Sequence, residues 1–227
     1  MGDGDVIKMR AAAIELRRVL DGFIREADHQ ISRVRFKRPG FQKPENADWA
    51  WQPELWSRRI EQQGVAPARS KTEVGQETRL FHDCETAAVT IKQFRNSRSL
   101  DLAPFGFMMD VFQFDGSFLS LAIALPQAAV EGLNPRHIFE VEAIIESERP
   151  VKILARLNIR QGPNVEQITR EFPQSSILSS VGLDLGYLIL SENRIQDLWL
   201  DLIFDAPQMN QIKIRDLTFY RRPRAEF

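Results

Sequence analysis

Apolar residues near the start of the chain recur at helical spacing, in steps that alternate between three and four residues. Over four heptads this seam comprises Val6, Met9, Ala13, Leu16, Leu20, Phe23, Ala27, Gln30 and Val34, with Gln30 as its polar member. Such a seam predicts an amphipathic α-helix within residues 1–36. The helix can dock on the rest of the protein or pair with a second copy of itself. Because alanines weaken the seam as a zipper, docking is favoured and self-pairing stays open.

The next segment, residues 37–79, has no regular period because proline and glycine recur throughout it. Trp49, Trp51 and Trp56, three of the four tryptophans of the chain, lie within this segment. Large aromatic rings can anchor a partner or stack on a sugar, or they can be buried against the protein's own core. We predict an irregular arm, rich in Trp and Pro, that packs on the following domain and is pinned there by these rings.

From residue 80 onward the pattern changes to short runs in which apolar and polar residues alternate. A period of two is typical of a β-strand with one buried face. We place strands at residues 87–94, 105–114, 118–125, 136–146, 151–160, 181–190, 196–204 and 211–220. With no helical crossovers between them, these strands predict a mainly β domain over residues 80–227, an antiparallel β-sandwich of the jelly-roll type.

Two short turns in this domain are expected to close β-hairpins, one at residues 115–116 and the other at residues 148–150. The first is an Asp-Gly pair between two apolar runs, which is a strong hairpin signal. In the second hairpin, directly opposed residues would lie about 5 Å apart. Glu140 and Glu142 would then share the face that points away from the core with Arg156.

The outward face of this second hairpin is the predicted ligand site. Arginine forks can hold a carboxylate, a phosphate or sugar hydroxyls, and rigid turns at sheet ends can serve as binding platforms. The candidate binding residues are Glu140, Glu142, Arg156, Asn158, Arg160 and, in the turn that follows, Asn164. The alternative is a solvated face with cross-strand ion pairs, each worth less than about 1 kcal/mol.

Other polar clusters favour structural roles. Residues 82–85 place His, Asp, Cys and Glu in a row, but neighbouring strand residues point to opposite faces, so a strand-to-turn junction is favoured. Asp197, Asp201 and Asp205 would share one strand face, although a calcium site needs six to eight oxygen ligands. The basic stretch at residues 33–43 is expected to be solvated. We predict no catalytic residue, no metal site and no cofactor.

Composition narrows the classes of protein that remain. The chain has 227 residues, of which 43% are hydrophobic and 27% charged, as expected for a globular protein with a substantial core. Its net charge of −1 argues against specific nucleic-acid partners, and we predict no transmembrane segment and no signal peptide. A single cysteine excludes an internal disulfide and fits a reducing cytoplasm, where we expect the protein to act.

Several segments together resemble an uncharacterised family of alphaproteobacterial proteins of unknown function. The resemblance covers residues 48–226 and is carried by residues 48–56, 80–84, 114–121, 155–158, 162–167, 199–204 and 222–226. Because no activity is established for that family, the resemblance implies no catalytic residue. The closing strands are also loosely similar to those of jelly-roll carbohydrate-binding modules.

We therefore expect a non-enzymatic β-sandwich that binds a polar or saccharide-like ligand or a protein partner. One alternative is a jelly-roll enzyme, a hydrolase or isomerase, that uses Glu140 or Glu142 as its acid/base. That alternative requires a concave pocket in which one of these carboxyls is buried and its pKa is raised. Another alternative is an assembly protein that forms a homodimer through the N-terminal helix.

Overall fold

The structure of the protein is a computed structural model. This structure describes residues 3–35, 43–86, 88–98, 101–173, 175–191 and 194–224. The predicted basic stretch falls largely outside this part of the chain, because residues 36–42 are not among the described residues. Its last member, Lys43, donates a hydrogen bond to the backbone carbonyl of Asp48 at 3.3 Å.

The chain begins with a long helix, α1 (Asp3–Arg35), which confirms the predicted amphipathic helix. None of its described side chains between residues 5 and 27 is buried, and Met9, Leu16 and Phe23 of the seam are 60%, 61% and 74% exposed. Gly22 and Glu26 of α1 nevertheless line a cavity together with residues of the arm, so the choice between docking and self-pairing stays a prediction. No helix in the described ranges is both long and apolar enough to cross a membrane.

Within the described residues, the rest of the chain forms two antiparallel sheets and a short helix, α2 (Glu54–Ser57). The strands are β1 (Trp49–Trp51), β2 (Gly64–Val65), β3 (Thr72–Val74), β4 (Thr78–His82), β5 (Ala88–Arg95), β6 (Phe105–Gln113), β7 (Leu119–Ala124), β8 (His137–Ser147), β9 (Lys152–Gln161), β10 (Asn164–Glu171), β11 (Ser175–Asp184), β12 (Ile195–Asp205) and β13 (Asn210–Pro223). Short 3-10 turns span Gln127–Ala129 and Leu185–Tyr187.

The strands are divided between sheet A, in the order β11-β8-β13-β6-β5-β2 with β1 also paired to β13, and sheet B, in the order β10-β9-β12-β7-β4-β3. Neighbouring strands are antiparallel throughout. The structure therefore confirms the mainly β class and the antiparallel sandwich predicted from the sequence.

The two sheets pack face to face because alternate residues of their strands are apolar. On β8, Phe139 and Val141 are fully buried between the sheets, while Glu140 points away from the core. On β12, Leu200 and Leu202 are buried in the same way. Because the side-chain period of a strand is two, the polar residues between these positions are directed to the outer faces of the sandwich.

The two turns predicted as hairpins join strands of different sheets, so both hairpin predictions are wrong. The turn at residues 115–116 joins β6 of sheet A to β7 of sheet B, and the turn at residues 148–150 joins β8 of sheet A to β9 of sheet B. Turn residues determine where the chain reverses, but they do not determine whether the two strands pair or pack across the core.

Side chains from a third segment hold each of these two connections. In the first, a carboxylate oxygen of Asp83 accepts the backbone N–H of Ser117 at 2.8 Å and that of Phe118 at 3.2 Å. In the second, Asn210 accepts the backbone N–H of Arg149 at 3.0 Å and donates to the carbonyl of Arg149 at 2.9 Å. These hydrogen bonds satisfy backbone groups that strand pairing would satisfy in a hairpin. The sequence around each turn does not predict the bonds, because Asp83 and Asn210 lie in other segments.

A hairpin does form at the predicted turn after β9. Gln161 pairs with Asn164, and Gly162 adopts a positive φ of 58° that favours glycine. The sequence does not predict β10, because this strand has no regular alternation and buries only Ile168. It is an edge strand of sheet B, so it contributes little to the core.

Residues 43–79, predicted as an irregular arm, contribute three short strands to the sandwich. β1 pairs with β13, β2 with β5 and β3 with β4. Trp56 is fully buried, and its indole N–H donates to a backbone carbonyl of β13 at 2.9 Å. Trp49 and Trp51 pack on phenylalanines of β8 and β13, each with 5.7 Å between ring centroids. All three rings therefore hold this segment to the protein itself.

Candidate functional site

A groove of about 990 Å³ lies on the outer face of sheet B. β7 and β12 form its floor, β9 forms one wall and β4 forms the other. It is lined by charged side chains, aromatic rings and small residues together. Binding sites for small molecules commonly combine an apolar, concave surface with a few placed polar groups, so this groove is the candidate functional site.

The register between strands produces the polar side of the groove. Across β9 and β12, Arg156 lies opposite Asp201 and Arg160 lies opposite Asp197. Across β12 and β7, Asp201 lies opposite Ala122. Because directly opposed residues share a face and lie close together, these outward positions form rows that cross the sheet from wall to floor.

The depth of the groove comes from small side chains on β7. The outward positions of this strand are Ser120, Ala122 and Ala124. Phe81 on β4 lies opposite Ser120, and Trp199 on β12 lies opposite Ala124. The strands on both sides of β7 therefore carry larger outward side chains than β7 itself. This difference in size produces the concave surface of the groove.

Asp201 is the best-connected polar residue of the groove. Its Oδ2 atom accepts hydrogen bonds from Nε and Nη2 of Arg156, at 3.1 Å and 2.8 Å. The same oxygen accepts the side-chain amide of Asn158 at 3.0 Å. Because Asp201 and Asn158 are both buried, charge-assisted bonds of this kind fix the Arg156 guanidinium in one orientation at the groove surface.

Trp199 provides the aromatic surface of the groove. The ring is half-buried, and the guanidinium of Arg160 lies 5.6 Å from its centroid. Arg160 is in turn paired with Asp197, at 3.3 Å between the nitrogen and the carboxylate oxygen. A cation over a tryptophan face is attracted by the ring quadrupole, so Arg160 and Trp199 form a platform with an apolar surface and a polar rim.

The hydroxyl of Ser120 is buried at the groove floor and has no hydrogen-bond partner among the described residues. The same is true of the side-chain carbonyl oxygen of Asn158. A buried polar group that stays unpaired costs about 1–3 kcal/mol. The Ser120 hydroxyl is therefore a polar group that the described residues leave unsatisfied at the floor of the groove.

Glu77 lies at the β4 end of the groove and is half-buried. Burial raises its pKa, and the nearby carboxylate of Glu54 raises it further. One carboxyl oxygen of Glu77 is buried and has no hydrogen-bond partner in the described part of the chain. When protonated, this group can donate a hydrogen bond to a ligand oxygen, and when ionised it can accept one.

The structure separates the six predicted site residues. Arg156 and Arg160 line the groove, Asn158 is buried beside them, and Asn164 lies exposed at the start of β10. Glu140 and Glu142 belong to sheet A, so their side chains lie on the opposite outer face of the sandwich. The prediction that these glutamates share a face with Arg156 is wrong, because β8 and β9 belong to different sheets and do not pair.

On the outer face of sheet A, Glu140 forms an ion pair with Arg222 at 2.9 Å. Burial raises the pKa of Glu142 to about 7, and the negative charges of Glu140 and Asp216 add to this effect. Glu142 thus shows the raised pKa that the enzyme alternative requires, and both glutamates are half-buried rather than fully solvated. Neither glutamate lines the groove on sheet B.

The segment at residues 82–85 acts as the predicted strand-to-turn junction. Asp83 holds the connection between β6 and β7, as described above. The Cys84 sulfur accepts the backbone N–H of Gly116 at 3.2 Å, and burial raises the pKa of its thiol. Because the thiolate is the nucleophilic form, a raised pKa makes Cys84 less reactive.

The three regularly spaced aspartates of β12 have separate environments. Asp197 and Asp201 are bonded to Arg160 and Arg156, and Asp205 is exposed. Over the described ranges, no group of three or more His, Cys, Asp or Glu side chains is arranged to hold a metal ion.

Sequence reasoning missed the residues that complete the groove, namely Glu77, Phe81, Ser120, Ala122 and Trp199. A usable signal was present on β12, where Asp197, Trp199 and Asp201 alternate with buried residues and therefore share a face. What the sequence lacked was the order of strands, which places β12 between β9 and β7.

The protein is thus an antiparallel β-sandwich with a long N-terminal helix and a polar, aromatic-lined groove on one outer face. The chain belongs to DUF6478, a family of unknown function whose model matches residues 3–227. This confirms the resemblance of residues 48–226 to an uncharacterised family of unknown function and extends it to α1; the alphaproteobacterial origin stays a prediction. A search of curated proteins finds no match to the chain.

Solved structures similar to this chain include β-sandwich carbohydrate-binding modules. The family 11 carbohydrate-binding module from Clostridium thermocellum, in complex with a β-1,3-1,4-mixed-linked tetrasaccharide, has a TM-score of 0.41 and 12% identity, over 73% of this chain and 97% of that one. The enzymatically active domain of tailspike protein 4 from bacteriophage CBA120 has a TM-score of 0.44 and 10% identity. That match covers 71% of this chain and spans 21% of the tailspike chain.

Proposed function

We propose that the protein is a non-enzymatic binding module that holds an uncharged, hydroxyl-rich ligand, such as an oligosaccharide, in the groove on sheet B. The observation that carries this proposal is the placement of the Trp199 platform beside the Arg156–Asp201 pair, with the unpaired Ser120 hydroxyl on the floor between the walls. A sugar ring has an apolar C–H face and a rim of hydroxyls, so it matches a platform of this kind.

The charge balance of the groove supports a neutral ligand over an anion. Arg156 is neutralised by Asp201, Arg160 by Asp197 and Arg79 by a glutamate of β3, at 2.8, 3.3 and 3.0 Å. An anionic ligand would have to compete with these carboxylates for the guanidinium groups. Paired ions with remaining donor and acceptor positions can instead bond hydroxyl groups, which both donate and accept.

The state of the groove carboxylates supports binding rather than hydrolysis. Cleavage of a glycosidic bond requires one protonated carboxyl as general acid and a second carboxylate as base or nucleophile. Asp197 and Asp201 are each held in an ion pair with an arginine, so neither is offered to a ligand as a second carboxylate beside Glu77, whose pKa burial raises. Glu140 and Glu142, the acid/base candidates of the enzyme alternative, lie on the other face of the sandwich.

A thermal-shift screen tests the proposal. Neutral oligosaccharides, acidic oligosaccharides and anionic metabolites are added separately to the full chain and to two variants, Trp199→Ala and Tyr187→Ala. Tyr187 is a matched control because it is an exposed aromatic ring with an arginine, Arg170, at 6.0 Å, yet it does not line the groove. A ligand at 100 times its Kd adds about 2.7 kcal/mol of stability, which corresponds to about 5–10 °C for a chain of this size.

We expect a neutral oligosaccharide to raise the Tm of the wild type and of Tyr187→Ala, and to have no effect on Trp199→Ala. A shift produced only by anions would contradict the neutral-ligand assignment. A shift that survives Trp199→Ala would place the ligand elsewhere. Cleavage of a bound oligosaccharide that is lost in Glu77→Gln would make the groove an active site and overturn the non-enzymatic proposal.

A further inference from the structure

The long helix α1 carries a broad apolar surface that the sandwich does not cover. Nine large apolar side chains between Val6 and Ile24 are each at least 45% exposed. In an isolated soluble chain, such a contiguous apolar stripe marks a surface that another element covers. We infer that α1 pairs with α1 of a second copy of this chain, as a parallel two-stranded coiled coil.

The heptad pattern defines the surface that would be buried. In heptad notation the a positions are Val6, Ala13, Leu20 and Ala27, and the d positions are Met9, Leu16 and Phe23. Knobs at a and d insert into holes on the partner helix, and the 3.5-residue period keeps the seam facing that partner. A helix that only docked on a globular core would not need this period over four heptads.

The charge on α1 favours a protein partner over a lipid surface. The helix contains seven Lys or Arg and six Asp or Glu residues, so its net charge is +1. Helices that lie on anionic membranes carry a strong excess of basic residues on their polar face. A nearly neutral helix gains little from a membrane surface, whereas it can match opposite charges on a copy of itself.

Charges beside the seam select the parallel orientation. In a parallel pair, each g position faces the e position of the next heptad on the other helix. Asp5 then faces Arg10 of the second copy, and Val19 faces Ile24 of the second copy. In an antiparallel pair the e row faces its own copy, and this row contains Arg10, Arg17 and isoleucines, so it offers no opposite charge.

The size of the contact predicts a reversible dimer. A helix of 33 residues is about 50 Å long, and a contact strip about 10 Å wide on each copy buries roughly 1,000 Å² in total. That area is near the lower limit for a specific interface. We therefore expect monomer and dimer to be in exchange, with the dimer fraction rising with protein concentration.

A parallel dimer would place both sandwiches at the same end of the coiled coil, because α1 precedes the sandwich in each chain. Two grooves held together could then bind one polymeric ligand, and the second contact would become intramolecular. This consequence rests on the proposed function, whereas the dimer itself does not. Dimerisation is measured without any ligand, so failure of the two proposals can be distinguished.

Sedimentation analysis of the full chain tests whether it dimerises. The protein concentration is varied about hundred-fold in the micromolar range. The double variant Leu16→Asp with Leu20→Asp places two negative charges in the seam, and Ala11→Asp places one at an f position on the far side of the helix. We expect a concentration-dependent dimer for the wild type and for Ala11→Asp, and a monomer for the seam variant. An unchanged Tm of the sandwich in all three proteins confirms that each is folded.

A cysteine cross-link tests the orientation. In a Cys84→Ala background, Met9→Cys would form a disulfide between copies in a parallel pair, where equivalent d positions are adjacent, and Ala11→Cys would not. A wild type that stays monomeric, or a seam variant that stays dimeric, overturns the inference. A dimer in which Met9→Cys does not cross-link overturns the parallel orientation. Binding of monomeric protein to anionic lipid vesicles that is lost in the seam variant would assign α1 to a membrane surface instead.

Discussion

The outer faces of the two sheets carry similar side chains but are covered differently. On sheet A, Gln52 of the arm donates to Asp216 at 2.9 Å, and Tyr220 is buried. On sheet B, Gln76 and Glu77 of the arm line the β4 side of the groove, and the groove is open beside Trp199. The polar groups of sheet A are therefore engaged by the protein's own chain, while those of sheet B can be reached by a ligand.

The two faces also differ in how their charges are paired. On sheet B, acidic and basic side chains lie opposite each other across β9 and β12. On sheet A, burial raises the pKa of Glu142 to about 7, and the negative charges of the nearby Glu140 and Asp216 add to this effect. Paired charges on sheet B can form hydrogen bonds to a neutral ligand at little cost in free energy. Crowded carboxyls on sheet A instead make the stability of the protein depend on pH.

The same substitution on the two sides of the molecule should have very different effects on stability. Trp56→Ala removes a fully buried ring that anchors the arm to the core, and it is expected to cost about 3–5 kcal/mol. Trp199→Ala removes a half-buried ring from an open groove and should cost less than half as much. Urea unfolding of both variants measures this difference, and equal losses would contradict the distinction between anchored and open faces.

The Arg156–Asp201 pair should matter more for stability than the neighbouring pair. Asp201→Ala leaves the donors of Arg156 and Asn158 without their shared acceptor in a largely buried site, at an expected cost of about 1–3 kcal/mol. Asp197→Ala removes an exposed ion pair and should cost at most about 0.5 kcal/mol. If chemical denaturation gave the two variants the same stability, Asp201 would not be the organising residue of the groove.

The crowded carboxyls of sheet A predict a pH effect of about 1 kcal/mol. Above pH 7 Glu142 is ionised in the folded and unfolded states, so the folded state bears the full cost of a half-buried charge. Below pH 4.5 it is protonated in both states and this cost vanishes. Glu142→Gln should therefore stabilise the protein at pH 8 by about 1 kcal/mol, after allowance for solvent screening, and leave its stability unchanged at pH 4.

Unfolding measured at both pH values tests this prediction. Thr90→Ala is a suitable control, because Thr90 bonds a carboxylate of the same sheet at 3.2 Å but does not contact Glu142. A stabilisation of equal size at pH 4 and pH 8 would show that the effect does not come from ionisation of Glu142.

Much of the fold could be predicted because periodicity is a local property. The seam of α1 and the alternation along β8, β9, β12 and β13 identify these elements with bounds close to the observed ones. The connections at residues 115–116 and 148–150 could not be assigned locally, because distant Asp83 and Asn210 decide their geometry. Turn residues show a reversal, and only tertiary contacts decide which sheet the next strand joins.

The candidate site was predictable only in part for the same reason. Arg156 and Arg160 were found because they alternate with buried residues along one strand. Glu140 and Glu142 were added to them by a strand pairing that does not occur. Ser120 and Ala122 could not be predicted as groove residues, because they contribute only by being smaller than their neighbours. Those neighbours lie on two strands that are distant in sequence.

The most direct test of ligand binding in the groove is a substitution that fills the groove and leaves its charged residues unchanged. Ala122→Phe places a large ring on the floor of sheet B, and Ser180→Phe makes the same kind of change at an exposed position beside Glu142 on sheet A. Calorimetric titration with the neutral oligosaccharide that most raises the wild-type Tm should show a loss of affinity of at least about ten-fold for Ala122→Phe and none for Ser180→Phe. Equal affinity of wild type and Ala122→Phe would contradict the assignment of the groove as the binding site.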